Sequence, residues 1–259
     1  MRKLVFITGA SSGLGQALAW RYYQQGFALA LVARRTVEIH SWLERQGIAS
    51  ERAKVYCADV SDISDVVEAA VRCMEIQGVP DVVIACAGFS TGMDTAFRED
   101  LDLMARSFAV NTVGTAATFH PFVNAMVRRG SGTLVGIASV HGIRGMPGHG
   151  AYCASKAAVI SYCESLRGEL RATGVKVVTI SPGYIQTPLT AKNRYAMPFL
   201  MAADDFAQRA FKTIATGCSY RVIPWQMGVV AKLLRILPNA MFDKLFASRP
   251  RKPRASAAN

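Results

Sequence analysis

Seven short, almost wholly apolar runs recur along the chain: LVFIT (4–8), ALALVA (28–33), KVYCADV (54–60), DVVIACAG (81–88), TLVGIAS (133–139), KVVTIS (176–181) and YRVIP (220–224). Apolarity that does not alternate suits strands covered on both faces, as in a parallel sheet. Between the runs lie longer stretches of helical period, near 13–25, 36–46, 62–77, 99–128, 152–172 and 203–216. Strand and helix in strict alternation predict an α/β fold, a doubly wound seven-stranded parallel sheet with right-handed crossovers. No linker, composition break or internal repeat interrupts the pattern, so residues 1–225 are expected to form a single domain and 226–259 an extension of it.

The extension has a pattern of its own. In WQMGVVAKLLRILPN, Gly228, Lys232, Arg235 and Asn239 fall on one polar stripe. Trp225, Val229, Leu233 and Ile236, with Val230, Leu234 and Leu237 beside them, make a broad apolar face. Pro238 ends that helix, and AMFDKLF can form another short one. The closing SRPRKPRASAAN is basic and proline-rich and is expected to be disordered. Two readings of this segment stand: an interfacial helix on an anionic membrane, or an apolar lid or subunit contact with a basic tail.

Charge sharpens that picture. Residues 224–259 hold seven Lys/Arg and one Asp, half of the net charge of +12. The basic residues lack interleaved aromatics or a nucleic-acid motif, so a nucleic-acid partner is not expected. The stretch 107–127 has no Asp, Glu, Lys or Arg, but Asn111, His120, Pro121 and its threonines favour a buried helix over a membrane span. Six cysteines without a CxxC pair, and a start that lacks a cleavage site, read as reduced thiols in a cytoplasmic protein. The four histidines show no metal-ligand spacing, and no metal is expected.

Candidate chemistry enters at TGASSGLG (8–15), where the first strand meets the first helix. Gly9 permits a sharp exit from the strand, Gly13 a close backbone approach to a phosphate, and Gly15 tight packing of the helix on the sheet. The helix amides are then aimed at an anion, as a dinucleotide pyrophosphate requires. The spacing is GxxxGxG, looser than the usual fingerprint, and a plain glycine turn is the alternative. The second motif is YCASK (152–156), whose Tyr152 and Lys156 share one helix face at i and i+4. A free phenol has a pKa of about 10, and a nearby ammonium should favour the phenolate and lower it.

These motifs stand in a series with Asp59-Val60, a Cys-Ala-Gly after the fourth strand, Asn111, Ser139 and SPGYIQTP (181–188). In that order the chain resembles the short-chain dehydrogenase/reductase family over roughly residues 3–225. The resemblance implies a Rossmann fold and an oxidoreductase in which Tyr152 exchanges a proton with a carbonyl or alcohol oxygen. It also implies that Ser139 holds that oxygen, that Lys156 binds the nicotinamide ribose and that Asn111 anchors a water linking Lys156 to solvent. Cofactor contacts are implied for Gly9, Ser11, Ser12, Gly13, Leu14, Gly15, Arg34, Arg35, Asp59, Val60, Ala87, Gly88, Tyr152, Lys156, Pro182, Gly183, Ile185 and Thr187. A homodimer or homotetramer is implied as well, built partly on the helices containing Asn111 and Tyr152.

The chain departs from the family where Asn-Asn-Ala-Gly reads Ala85-Cys86-Ala87-Gly88. A hydrogen bond bracing neighbouring strands should therefore be absent, and Cys86 reads as a small core residue or a reactive thiol. At the end of the second strand Ala33 stands where NAD enzymes of this kind carry an acid, followed by Arg34 and Arg35. Two guanidiniums suit a 2′-phosphate, so NADP is expected ahead of NAD; two solvated surface arginines are the other reading. Tyr195, Met197, Phe199, Leu200 and Met201 give the segment 187–203 an apolar character suited to a hydrophobic ketone. His141 and His149 read as wall residues of the opposite side. Reduction of 3-oxoacyl thioesters or long-chain 3-keto lipids, and NADP sensing without turnover, remain the alternatives.

Overall fold

The computed structural model describes residues 2–191, 193, 196–247 and 252–254. Seven parallel strands form one sheet: β1 (Leu4–Thr8), β2 (Ala28–Ala33), β3 (Ala53–Cys57), β4 (Val82–Ala85), β5 (Gly132–Ile137), β6 (Val175–Pro182) and β7 (Tyr220–Ile223). Their spatial order is β3-β2-β1-β4-β5-β6-β7, the expected doubly wound arrangement. Helices α1 (Gly13–Gln24), α2 (Thr36–Arg45), α3 (Ile63–Gln77), α4 (Glu99–Phe108), α5 (Gly114–Arg129), α6 (Gly150–Glu169) and α7 (Ala203–Thr216) make the crossovers. Two more, α8 (Trp225–Ile236) and α9 (Asn239–Phe246), follow the sheet.

Successive side chains on a strand point to opposite faces, and each face here has its own core. Val5, Ile7, Leu29 and Leu31 pack with Leu18, Ile39, Phe206 and Ile214 on one side. Leu4, Phe6, Ala30 and Val32 pack with Phe119, Phe122, Met126 and Leu166 on the other. This two-sided burial is why the strands carry no polar alternation. The uncharged stretch 107–127 supplies Phe119, Phe122 and Met126 to the second core, and no helix among the described residues is long and apolar enough to cross a membrane.

Strand order reverses between β1 and β4. Chain connections leave that point in both directions, opening a crevice at the carboxyl ends of the strands.

The extension is docked differently from the expectation. Gly228 does not lie on a solvent-facing polar stripe: Met227, Gly228 and Ala231 form the buried face of α8. A Cβ on Gly228 would stand 3.1 Å from Val222 of β7, so only a small residue fits closely there. Trp225, Val229, Leu233 and Ile236 consequently point outward, Ile236 being 78% exposed. Arg144 secures the far end of α8 by donating to the carbonyls of Arg235 and Leu237 and to Asn239 Oδ1, with its guanidinium 4.0 Å from the Phe242 ring centre. A cation at a helix C-terminus satisfies carbonyls that have no partner within the helix.

The tail is also not wholly disordered. Residues 252–254 lie against the segment around Gly92, whose N–H donates to the Pro253 carbonyl at 3.2 Å. The stretches 248–251 and 255–259, with Lys192, Arg194 and Tyr195, fall outside the described residues.

Candidate active site

The crevice is a cavity of about 410 Å³. Of the residues named from the sequence, Gly9, Ser11, Ser12, Gly13, Leu14, Gly15, Arg34, Arg35, Asp59, Val60, Ala87, Gly88 and Thr187 line it. Ala33, Ala58, Cys86, Val110, Pro188 and Leu189 complete the wall. Sequence reasoning placed no contact on Val110 or Leu189, which reach the cavity from elements whose packing no motif records.

The residues present fit a dinucleotide. Gly9 has φ +73°, and a Cβ there would stand 2.7 Å from the Ala87 Cα. Ser12 begins α1 in an extended conformation without a side-chain cap, and the first turn carries no acid. The leading amides and the positive end of the helix dipole are therefore unspent and face the glycine loop. At the rim, Arg34 pairs with Asp59 at 3.2 Å and Arg35 with Glu38 at 3.1 Å, while Arg35 also reaches Ser11 Oγ at 3.3 Å.

Cys86 is a partly buried residue of this wall. Burial pushes its thiol up to about 12, against a smaller opposite pull from Lys156, so it is a neutral packing group at physiological pH. The bracing contact expected to be missing has a substitute: the Cys86 N–H donates to Thr8 Oγ1 at 3.2 Å, tying β4 to β1.

A second group of side chains adjoins the crevice at the end of β5. Ser139 is buried, and its Oγ accepts the His141 N–H at 3.2 Å, fixing the hydroxyl at the start of a single 3-10 turn. Tyr152 lies in the first turn of α6. Loss of solvent around its phenol pushes its pKa up to about 12, while the neighbouring Ser139 hydroxyl pulls it down. The net lowering expected from Lys156 is not found: burial is the largest influence on the phenol, and the Cys153 and Cys86 thiols push the same way. Lys156 itself is pushed down by burial to about 8, and its Nζ donates to the Ile137 carbonyl at 2.7 Å. A Cβ on Gly88, in the cavity wall, would stand 3.8 Å from that Nζ, so Lys156 spans both groups.

Asn111 sits fully buried in a π-helical turn, Ala109–Val113, between α4 and α5. Its carboxamide accepts from Phe89 N at 2.7 Å and donates to the Phe89 carbonyl and to Ser155 Oγ, both at 2.9 Å. The side chain thus clamps the loop after Gly88 to α6. π-turns of this kind concentrate at functional sites.

His141, His149 and Tyr184 adjoin this second group. The His141 ring centre is 5.6 Å from His149, 5.7 Å from Tyr184 and 6.0 Å from Tyr152. Burial comes first in holding each imidazole near 4, followed by His149 and then Lys252 for His141 and by Lys252 for His149, so both are neutral at physiological pH. Pro182, Gly183 and Ile185 sit at and just beyond the end of β6, around Tyr184; Ile185 is buried and bridges Met201. From this stretch it is Thr187, Pro188 and Leu189 that wall the cavity. In the apolar segment that follows, Phe199 is exposed with φ +56°.

A family model described as short chain dehydrogenase matches residues 3–197. The chain belongs to the short-chain dehydrogenase family. An uncharacterized oxidoreductase of Myxococcus xanthus is 36% identical over 242 residues, covering 93% of this chain and 95% of that protein. Among solved structures, a short chain dehydrogenase/reductase from Burkholderia phymatum in complex with NAD superposes with a TM-score of 0.80 at 24% identity, covering 98% of each chain. An alcohol dehydrogenase from Thermococcus sibiricus complexed with 5-hydroxy-NADP gives 0.74 at 24% identity, covering 86% of this chain and 96% of that one. The protein is thus a Rossmann-fold oxidoreductase of a family that binds NAD(P).

Proposed function

We propose that this short-chain dehydrogenase uses NADPH to reduce an apolar ketone or aldehyde, with Tyr152 as the proton donor. The observation that carries this reading is the meeting of Tyr152, Ser139 and Lys156 beside a glycine-walled crevice with free helix amides. With its pKa near 12 the phenol is protonated throughout the neutral range, the form a donor needs. Ser139 hydrogen-bonds the substrate oxygen and holds it against the phenol. Lys156, anchored on the Ile137 carbonyl, places positive charge beside Gly88 and favours the developing phenolate. The bound nicotinamide supplies the hydride. Arg34 and Arg35, with no acid at Ala33, support NADP ahead of NAD.

Oxidation of NADPH and of NADH should be followed across ketones of increasing chain length and across 3-oxoacyl thioesters. Turnover of the ketones with NADPH supports the reading, and turnover confined to the thioesters moves the substrate to that class. Tight NADPH binding with no turnover on any of them would leave a cofactor sensor instead.

The outward apolar stripe of α8, continued by exposed Met241 and Leu245 of α9, supports a peripheral contact with anionic membrane. Lys232, Arg235 and Lys244 stand exposed among these residues, and each basic group near such a surface contributes about 1 kcal/mol. The full chain should co-sediment with phosphatidylserine vesicles more than with phosphatidylcholine vesicles, and salt should weaken the binding. If vesicles are ignored and Leu233→Glu instead changes the oligomer seen by light scattering, the stripe joins copies of the chain.

A further inference from the structure

The tail segment 252–254 is held at the substrate end of the site by three independent contacts. The Arg254 guanidinium donates to both oxygens of Asp100, at 2.7 and 3.1 Å, and lies 3.5 Å from the Phe97 ring centre. Asp100 has no exposed surface, and its carboxyl is held below the usual range by those hydrogen bonds first and by the Asp94 N–H second. Gly92 supplies the third contact, the backbone bond to Pro253. A side chain at Gly92 would collide with the Lys252 and Pro253 carbonyls.

This clasp fixes where Lys252 can go. Its Nζ donates to Ser90 Oγ at 3.0 Å, two residues after Gly88 of the cavity wall. Its charge acts on both His141, a ring neighbour of Tyr152, and His149, which stacks on His141. Asp100 is committed to Arg254, and Lys252 forms no ion pair with a carboxylate among the described residues. An ammonium has three donors, and Ser90 takes one. The strap therefore presents a half-buried cation, anchored at Ser90, whose charge reaches two neutral imidazoles; such a charge gains most from an anion arriving with the substrate.

We propose that the C-terminal strap completes the substrate pocket and that Lys252 recognises a carboxylate carried by the substrate, making the preferred class apolar keto acids. This rests on the carbonyl-reduction reading and adds the second functional group. The apolar body would lie toward Tyr184 and Met201, and the carboxylate would take the free donors of Lys252.

The test compares aryl keto acids with their methyl esters, 4-benzoylbutyrate and its homologues with two to six carbons between carbonyl and carboxylate. The acid-to-ester ratio of kcat/KM should exceed about tenfold at the best spacing, the scale of a charged hydrogen bond. Lys252→Met should bring that ratio close to one, and Lys252→Arg should restore part of it. A parallel titration of 5-phenylvalerate into the NADPH complex needs no turnover: its affinity should fall about tenfold in Lys252→Met. A ratio or an affinity unchanged by Lys252→Met would overturn the proposal. Absence of turnover on the whole panel would speak against carbonyl reduction alone, since the titration still decides for or against Lys252.

Discussion

The two ends of the site are built from different materials. The cofactor end is mostly backbone: glycines, helix amides and the small surfaces of Ala87 and Gly88, contributed by short segments at the ends of β1, β2, β3 and β4. The end proposed for the substrate is mostly side chain. Ser139, His141, His149, Tyr152 and Tyr184 converge there with Lys252, which reaches Ser90 across 162 positions of sequence. Backbone sites tolerate little change in shape, whereas side-chain sites can be retuned one residue at a time. The first end is thus suited to one invariant ligand and the second to choosing among substrates.

Breaking the backbone end should have the largest effect on cofactor binding. Gly9→Val sets a branched residue at φ +73°, which costs about 1–3 kcal/mol in strain. It also drives a side chain into the Ala87 backbone. NADPH affinity measured by fluorescence titration should fall at least about a hundredfold, with the circular dichroism spectrum showing whether the fold survives. A side-chain change at the same end should cost less. Arg34→Gln removes one exposed partner proposed for the 2′-phosphate, and the NADPH-to-NADH preference should fall about tenfold. An unchanged preference would transfer the role to Arg35.

The substrate end is sharpened by pH. Both histidines are held near 4, so between about pH 5 and pH 7 neither changes charge, and the reduction rate should show no histidine inflection near 6.5. Lys156 loses its proton as pH rises through about 8, and kcat for reduction should fall to half near that value. An inflection near 6.5 that disappears in His141→Gln would make an imidazole a participant in the proton transfer.

The same division explains what the sequence could and could not reveal. The runs 4–8 and 28–33 became β1 and β2 residue for residue, because strands buried on both faces write themselves as apolar blocks. The run 81–88 shortened to Val82–Ala85, since Cys86, Ala87 and Gly88 leave the sheet to wall the cavity. Tyr152, Lys156 and the glycine loop were legible because local spacing alone brings their parts together. The direction of the Tyr152 shift was not, because it depends on desolvation by groups distant in sequence. Nor was the strap: a basic, proline-rich tail reads as disordered until Asp100 and Gly92 are known to receive it. Gly228 was misplaced for a related reason, as helical periodicity cannot say which face meets β7.

The account centres on Tyr152 as the proton donor of a reductase. Its most direct test is single-turnover reduction by the Tyr152→Phe variant saturated with NADPH, using the best ketone from the substrate survey. The ring and the cofactor crevice are kept, so NADPH affinity should match the unaltered protein while the rate falls by about 10²–10⁴-fold. A rate within twofold of the unaltered protein, with NADPH bound as tightly, would contradict the account.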